Sequence, residues 1–397
     1  MDRIGIIGNG VAAVTAIREI RSKNRDVAID VFSDEKYTYY PRPKLIEYIA
    51  GRISKDEVIQ YGHEWYDEYD VNLHLAEPVI EVIPSSLSIL TEKQSYFNYD
   101  NILIAVGSHP FVPPIRGVEK ERVHILRTLD DAIDISNSVD GAGREIIVGG
   151  GILGIELAAA MKAAGGNPIV ISNISTLLPA QLDQGASNIL LKRLGNMGIT
   201  ALLGFTCTEV TGPGHATGVV STEGDKVKGD MVVMTTGIRP NTHLARQANI
   251  AVGPGKGILV DEYMQTTSDS IYAAGDCTEW KGICWGIIPV ALETAKIAAI
   301  NIMAHGSKKY DGTTPSNTLQ VAGINLTSIG EFNPQSPEYE SITSANESEG
   351  TYFKAVLKDD VMVGGISLGD RKVALKIRRM IRTKEIVKDK KKEIFDV

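Results

Sequence analysis

Apolar and polar positions follow two periods along this 397-residue chain, and the switches between them fall at glycines. Residues Arg3 to Ile7 form a short, mostly apolar run that ends at a glycine turn. Helical spacing then continues to about Ser22, and Val27 to Phe32 read as a second strand. Strand, glycine turn, amphipathic helix and strand predict a βαβ unit, the opening of a doubly wound parallel sheet. The same order recurs some 140 residues later, with a strand over 144–148, a glycine loop over 149–154, a helix to about Ala164 and a strand over Pro168–Ile171. Two such units, each led by a phosphate-type loop, imply two dinucleotide sites. After about residue 311 the texture changes. The segment 313–350 is rich in Thr, Ser, Asn, Pro and Glu, and strand-like runs over Tyr352–Lys358 and Val361–Ser367 precede a basic helix. A small α+β appendage is expected there. The fold class read from the pattern is α/β, with two Rossmann-like dinucleotide-binding domains and a small α+β C-terminal domain.

Composition narrows the class. A chain of this length divides into two to three domains, and 43% hydrophobic with 23% charged residues is the mix of an ordinary soluble globular protein. The three cysteines, Cys207, Cys277 and Cys284, contain no C-x-x-C spacing, which excludes a disulfide framework and a four-cysteine metal site. Cys277 and Cys284 read as idle thiols rather than a redox pair. The seven histidines show no ligand spacing, so no metal is assigned. A reducing cytoplasm is the expectation, with neither export nor membrane insertion, because no signal-type core or 18-residue apolar run is present.

The net charge of −8 speaks against nucleic-acid binding, but it is unevenly spread. Residues 371–397 hold 11 Lys/Arg against 4 Asp/Glu, a balance of +7 that leaves −15 on the rest. Two readings stand for this stretch: a solvated helix face, which is the plainer one, and a docking patch for an acidic partner.

Candidate chemistry starts at the two loops. In 8-GNGVAA-13, Gly8 permits the tight turn, Gly10 lets backbone approach a diphosphate, and Ala13 takes the third, small position. The diphosphate would sit at the helix N-terminus. The acid expected about 25 residues on is replaced by Ser33, with Asp34 beside it. The second loop is a full G-x-G-x-x-G at Gly149, Gly151 and Gly154, with Ala158 four residues later. Its strand ends on Ser172 and Asn173, so no carboxylate repels a 2′-phosphate and no nearby Arg or Lys binds one. The choice between NADH and NADPH stays open.

With 266-TTSDSIYAAGDC-277 added, the chain resembles the two-dinucleotide-binding flavoprotein family of pyridine nucleotide-dependent reductases. The resemblance implies a glutathione-reductase-like arrangement, FAD and NAD(P)H as cofactors, and Gly275 and Asp276 at the flavin's ribityl chain. The run 103-LIAVGSHP-110, with Ala105 and Gly107, resembles the crossover out of the FAD domain; 234-MTTGIRPN-241, with Gly237, resembles the return. The helix opening near Ile288 resembles the one that points at the flavin pyrimidine ring. Domains expected on this basis are 1–109 and 239–310 for FAD, 110–238 for NAD(P), and 311–397 as the C-terminal domain.

The stretch 39-YYPRPKLIEYIAG-51 carries no cysteine where disulfide reductases of the family place theirs. With Pro41, Arg42, Pro43 and Lys44 it resembles the R-P-x-L segment of rubredoxin, ferredoxin and flavorubredoxin reductases, and EWYDEYDVNLHL (64–75) resembles the NADH:rubredoxin branch. Glu156 matches the position of a family glutamate near the flavin N5 and nicotinamide. Its family lysine partner is Glu47 here, so Lys44 or Arg42 is the candidate cation, and Lys44 with Glu156 the candidate catalytic pair. Tyr39 and Tyr40 either stack on the flavin or pack in a turn. The activity implied is hydride transfer from NAD(P)H to FAD and then single electrons to a small carrier such as rubredoxin. An NAD(P)H oxidase and a nucleotide-sensing flavoprotein with weakened sites are the alternatives, and an oligomer is compatible with all three.

Overall fold

A computed structural model of the chain describes residues 2–139, 143–313, 316–321, 323–388 and 390–396. These residues divide into two compact units. One comprises Met1–Tyr48, Ile53–Phe111 and Ile238–Thr313; the other comprises Ile49–Arg52, Val112–Gly237 and Thr314–Val397.

The first unit is built on a five-stranded parallel sheet. Its order is Ile271–Ala273, Asn101–Ile104, Arg3–Ile7, Ala28–Phe32, Val71–His74. Period-two alternation sends Ile4, Ile6 and Leu103 to one face, where the helices Val11–Lys23 and Ile288–Met303 cover them through Ile17, Ile20, Ala295 and Ala298. Ile7, Ile102 and Ile104 go to the other face and meet Val82 and Ile89 of an antiparallel meander, Val79–Ile83, Ser88–Thr91 and Tyr96–Asn98. With both faces covered, the strands read as near-continuous apolar runs.

The second unit repeats the plan with strands ordered Thr200–Leu203, Ile169–Ser172, Glu145–Val148, Met231–Met234, Val123–Ile125, all parallel. The helix Ile152–Ala163 follows the central strand, and a meander of Cys207–Thr211, Gly218–Ser221 and Lys226–Lys228 covers a face through Val210, Val219 and Val227.

The C-terminal part is richer in strands than the sequence pattern suggests. Five antiparallel strands run in the order Ser316–Val321, Ile324–Gly330, Val361–Leu368, Thr351–Lys358, Tyr339–Asn346. Three of them lie in the polar segment that carries no strand signal by alternation. Two of those three are the sheet's edges, each paired to a single neighbouring strand, and Tyr339–Asn346 is exposed along most of its length. The helix Arg371–Thr383, capped by Asp370, buries Val373, Ala374, Ile377 and Met380 in the core under this sheet and turns most of its basic residues to solvent. Among the described residues, no helix is long and apolar enough to cross a membrane.

Candidate functional site

Six helices of eight or more residues occur among the described residues, and they fall into two groups. Leu129–Ser138, Gln184–Asn196 and Arg371–Thr383 begin on side-chain caps from Thr128, Asp183 and Asp370. Val11–Lys23, Ile152–Ala163 and Ile288–Met303 begin on Gly10, Gly151 and Ile287 with no side-chain cap and no acidic residue in the first turn. The first N–H groups of a helix have no partner within it, and here no side chain supplies one. Uncapped starts with positive dipole ends and no local carboxylate form a donor set that suits an anion.

The glycines around these starts are required by shape. At Gly8 φ is +105°, and a Cβ would lie 2.3 Å from the Ala105 carbonyl oxygen; at Gly149 φ is +133°, and a Cβ would lie 2.4 Å from the Thr235 carbonyl oxygen. No L-residue with a side chain fits either position. Gly10 and Gly151 have nothing within 4 Å of where a Cβ would be, so each leaves an open approach in front of its helix. Gly154 packs its helix on the strand end, since a Cβ there would reach 2.0 Å from the Gly149 carbonyl oxygen; Ala13, its counterpart, is fully buried. In the first loop Asn9 Oδ1 accepts from the Tyr66 hydroxyl at 2.7 Å, while Nδ2 is buried without a partner. A buried amide donor left open beside an uncapped helix start fits a bound dinucleotide.

The first unit gathers most of the sequence-derived FAD positions. Gly275 lies between the starts of two helices: a Cβ on it would be 3.2 Å from the Ala12 Cβ and 3.8 Å from the Ala291 Cβ. Its N–H donates to Thr294 Oγ1 at 3.1 Å, and Asp276 Oδ2 accepts from the Ser108 hydroxyl at 3.1 Å. Ser108 belongs to the outgoing crossover, which pairs antiparallel with the return crossover as Ser108–Pro110 against Ile238–Pro240. Asn241 locks the two together by donating from its backbone to the Gly107 carbonyl at 2.9 Å and from Nδ2 to the Val106 carbonyl at 2.8 Å. Ile288, the first residue of the third uncapped helix, is exposed.

At the end of the strand Ala28–Phe32, the Ser33 hydroxyl accepts from the Glu35 N–H at 3.2 Å. Glu35 is a residue the sequence reading missed, because it stopped at Asp34. Arg42 Nη2 meets Glu35 Oε1 at 2.6 Å and the Tyr40 hydroxyl donates to Oε2. The acidic pair Asp34–Glu35 and an arginine seven residues after Glu35 were the available signal. Lys44 opens the helix Lys44–Ile49 and donates from Nζ to the Glu57 carbonyl at 2.7 Å. Tyr39 is buried in the core, where burial and its neighbour Tyr61 push its phenol up to about 12.

In the second unit, Thr235 Oγ1 donates to the Val148 and Gly149 carbonyls at 3.1 and 3.3 Å, steadying the phosphate-type loop from the strand beside it. Thr235 also escaped the sequence reading, although it stands in the return-crossover run before Gly237. Ser172 is buried and its hydroxyl accepts from the Ile174 N–H at 3.2 Å, whereas Asn173 is exposed. Glu156 is half-buried in the helix that follows the loop. Cys277 is fully buried, and burial pushes its thiol up to about 12; burial also raises the half-buried Cys284. Such thiols are poor nucleophiles at neutral pH.

The model of the pyridine nucleotide-disulphide oxidoreductase family matches residues 2–300, and that of the rubredoxin NAD+ reductase C-terminal domain matches residues 315–385. The assimilatory nitrate reductase electron transfer subunit of Bacillus subtilis is 30% identical over 395 residues, which is 99% of this chain and 51% of that one. The NADH oxidase of Methanocaldococcus jannaschii is 30% identical over 401 residues, covering 94% of this chain and 89% of the other. The chain spans about half the length of several curated relatives that it matches. Among solved structures, NADH:rubredoxin oxidoreductase from Clostridium acetobutylicum superposes with a TM-score of 0.83 at 26% identity, over 98% of this chain and 97% of that one.

Proposed function

This chain belongs to the pyridine nucleotide-disulphide oxidoreductase family, which binds FAD and NAD(P)H, and on that premise we propose that it reduces a small one-electron carrier such as rubredoxin at the expense of NAD(P)H. The observation that carries the reading is the set of three uncapped helix starts, two in the first unit and one in the second. Residues 1–109 and 239–310 serve as the FAD domain, 110–238 as the NAD(P) domain and 311–397 as the C-terminal domain.

Bound flavin supplies the conversion between a two-electron donor and a one-electron acceptor. The N–H groups behind Gly10 hold the FAD diphosphate, with Gly8 and Ala13 shaping the turn. Asp276, steadied by Ser108, would take the ribityl hydroxyls, and the uncapped helix start at Ile288 would favour an electron-rich part of the flavin in front of it. Ser33 is assigned to the ribose contact, Arg42 and Pro43 to the cofactor-binding segment with Arg42 the alternative cation to Lys44, and Ala105, Gly107, Gly237 and Gly275 let backbone pass close to the cofactors. Gly149, Gly151 and Gly154 hold the NAD(P) diphosphate, with Ser172 and Asn173 at its ribose. Lys44 and Glu156 are the charged side chains assigned to the reacting atoms. No protein thiol takes part, in keeping with the raised Cys277. The carrier docks on the basic C-terminal region.

A second reading is favoured by one observation: the archaeal NADH oxidase matches this chain over 89% of its own length. An anaerobic titration of the purified protein separates the two. Either coenzyme should bleach the flavin band near about 450 nm within seconds. Rubredoxin added afterwards should restore the band much faster than air does. Fast return with O₂ alone and none with rubredoxin selects the oxidase, and flavin that neither coenzyme bleaches removes both.

A further inference from the structure

Asp183 sits at a junction inside the second unit. Its Oδ1 caps the helix Gln184–Asn196 by accepting from the Ala186 N–H at 3.0 Å. Its Oδ2 accepts from the Tyr352 hydroxyl at 2.8 Å and from Lys354 Nζ at 2.9 Å, both on the C-terminal strand Thr351–Lys358. The ion pair is almost out of water, with side-chain exposures of 8% for Lys354 and 13% for Asp183. Contact is tight, since a Cβ on Gly185 would lie 2.8 Å from the Tyr352 ring.

The helix so fixed holds a loop in turn. Ser187 Oγ accepts from the Leu177 N–H at 2.8 Å, and Leu178 N–H donates to the Gly150 carbonyl at 2.9 Å. Residues 173–183 therefore run from the strand end at Ser172, are tied to the glycine loop at Gly150, and finish on Asp183. Each link is a hydrogen bond with defined geometry. A buried ion pair adds little stability over apolar packing of the same volume, whereas loss of one partner leaves the other charge buried and uncompensated.

We propose that Tyr352 and Lys354 are positioning residues for the pyridine-nucleotide site: acting through Asp183 and the start of its helix, they set the 173–183 loop beside Ser172 and Gly150, and so the grip on the adenosine half of NAD(P)H. The C-terminal domain is thereby part of the nucleotide site and not only a surface for a carrier. The inference rests on Gly149–Gly154 being the diphosphate loop.

Calorimetric titration of the oxidised holoenzyme with ADP-ribose tests both statements separately. Gly151→Asp should abolish binding; wild-type affinity in that variant overturns the reading of the loop itself. Lys354→Met should weaken ADP-ribose by roughly 5- to 20-fold and raise the KM for NADH to match, with kcat at saturating NADH and the flavin spectrum unchanged. Asp183→Asn, which keeps a capping oxygen, should lose a similar amount, and the double variant no more than either single one. Tyr352→Phe removes one hydroxyl and should cost roughly 2- to 5-fold, a readout that remains if Lys354→Met does not fold. Wild-type affinity in folded Lys354→Met, or in Tyr352→Phe together with Asp183→Asn, overturns the proposal. So does a fall in kcat without a change in KM.

Discussion

Arg42 and Glu35 face each other across the loop that follows the second strand, with Nη2 and Oε1 2.6 Å apart and the Tyr40 hydroxyl on the other carboxylate oxygen. Glu35 is the more enclosed partner, at 16% side-chain exposure against 36% for Arg42. Removing the arginine leaves a partly buried carboxylate with one partner fewer. Arg42→Ala should therefore cost about 1 kcal/mol of stability, a value kept small by the exposure of the pair. It should also speed FAD release at least tenfold on dilution, followed by the return of free-flavin fluorescence. Unchanged release would reduce the pair to a local staple.

Helix capping and ligand binding compete at Gly10 and Gly151. Aspartate is a good N-cap, both glycines have extended φ values of −89° and −81°, and neither has an atom near the Cβ position. Gly151→Asp should leave the stability unchanged or raise it by up to about 1 kcal/mol, seen as an equal or slightly higher melting temperature, and retain the yellow colour while losing reduction by NAD(P)H. Gly10→Asp should give a folded, colourless protein. A yellow Gly10→Asp variant would mean that FAD does not use this helix.

Coenzyme choice should respond at the end of the strand Ile169–Ser172. A carboxylate there accepts ribose hydroxyls and repels a 2′-phosphate. Ser172→Glu is expected to raise the KM ratio of NADPH to NADH at least tenfold, and an unchanged ratio in steady-state assays with a dye acceptor would remove Ser172 from the specificity site.

Carrier docking on the basic helix is best tested by charge reversal. Truncation after Asp370 would strip Val373, Ile377 and Met380 from the core and confound the result. Arg371 and Arg382 are exposed on this helix. Arg371→Glu with Arg382→Glu should raise the KM for an acidic carrier several-fold at low salt, an effect that fades at high ionic strength, while dye reduction is unchanged. Equal loss in both assays would show that the surface acts structurally.

Acid stability should report on Asp183. Burial alone would raise its pKa, but Lys354, the Ala186 N–H and the Tyr352 hydroxyl outweigh burial and hold it below the usual carboxylate value. A folded-state pKa below the unfolded one, about 3.9, adds stability that is fully present above that pH and is lost as pH falls through the folded value. The stability gap between wild type and Asp183→Asn should thus be constant from pH 7 to about pH 5 and shrink below about pH 4. A gap that persists to lower pH in urea titrations would assign the cost to packing rather than charge.

The sequence by itself determined the parts that are local. Two periods and two glycine loops fixed both βαβ units, because side-chain alternation, helical spacing and the positive φ that a tight strand-to-helix turn imposes on Gly8 and Gly149 involve only near neighbours. Only the tertiary structure decided what depends on distant partners. It put Gly275 between Ala12 and Ala291, joined the crossovers through Asn241, and gave Glu35 its arginine. It also made strands of polar residues in 313–350, since the ladder hydrogen bonds to a neighbouring strand come from backbone that every residue type carries. Lys354 and Asp183 are 171 positions apart, and no spacing rule links residues whose meeting depends on how a whole sheet packs against a helix.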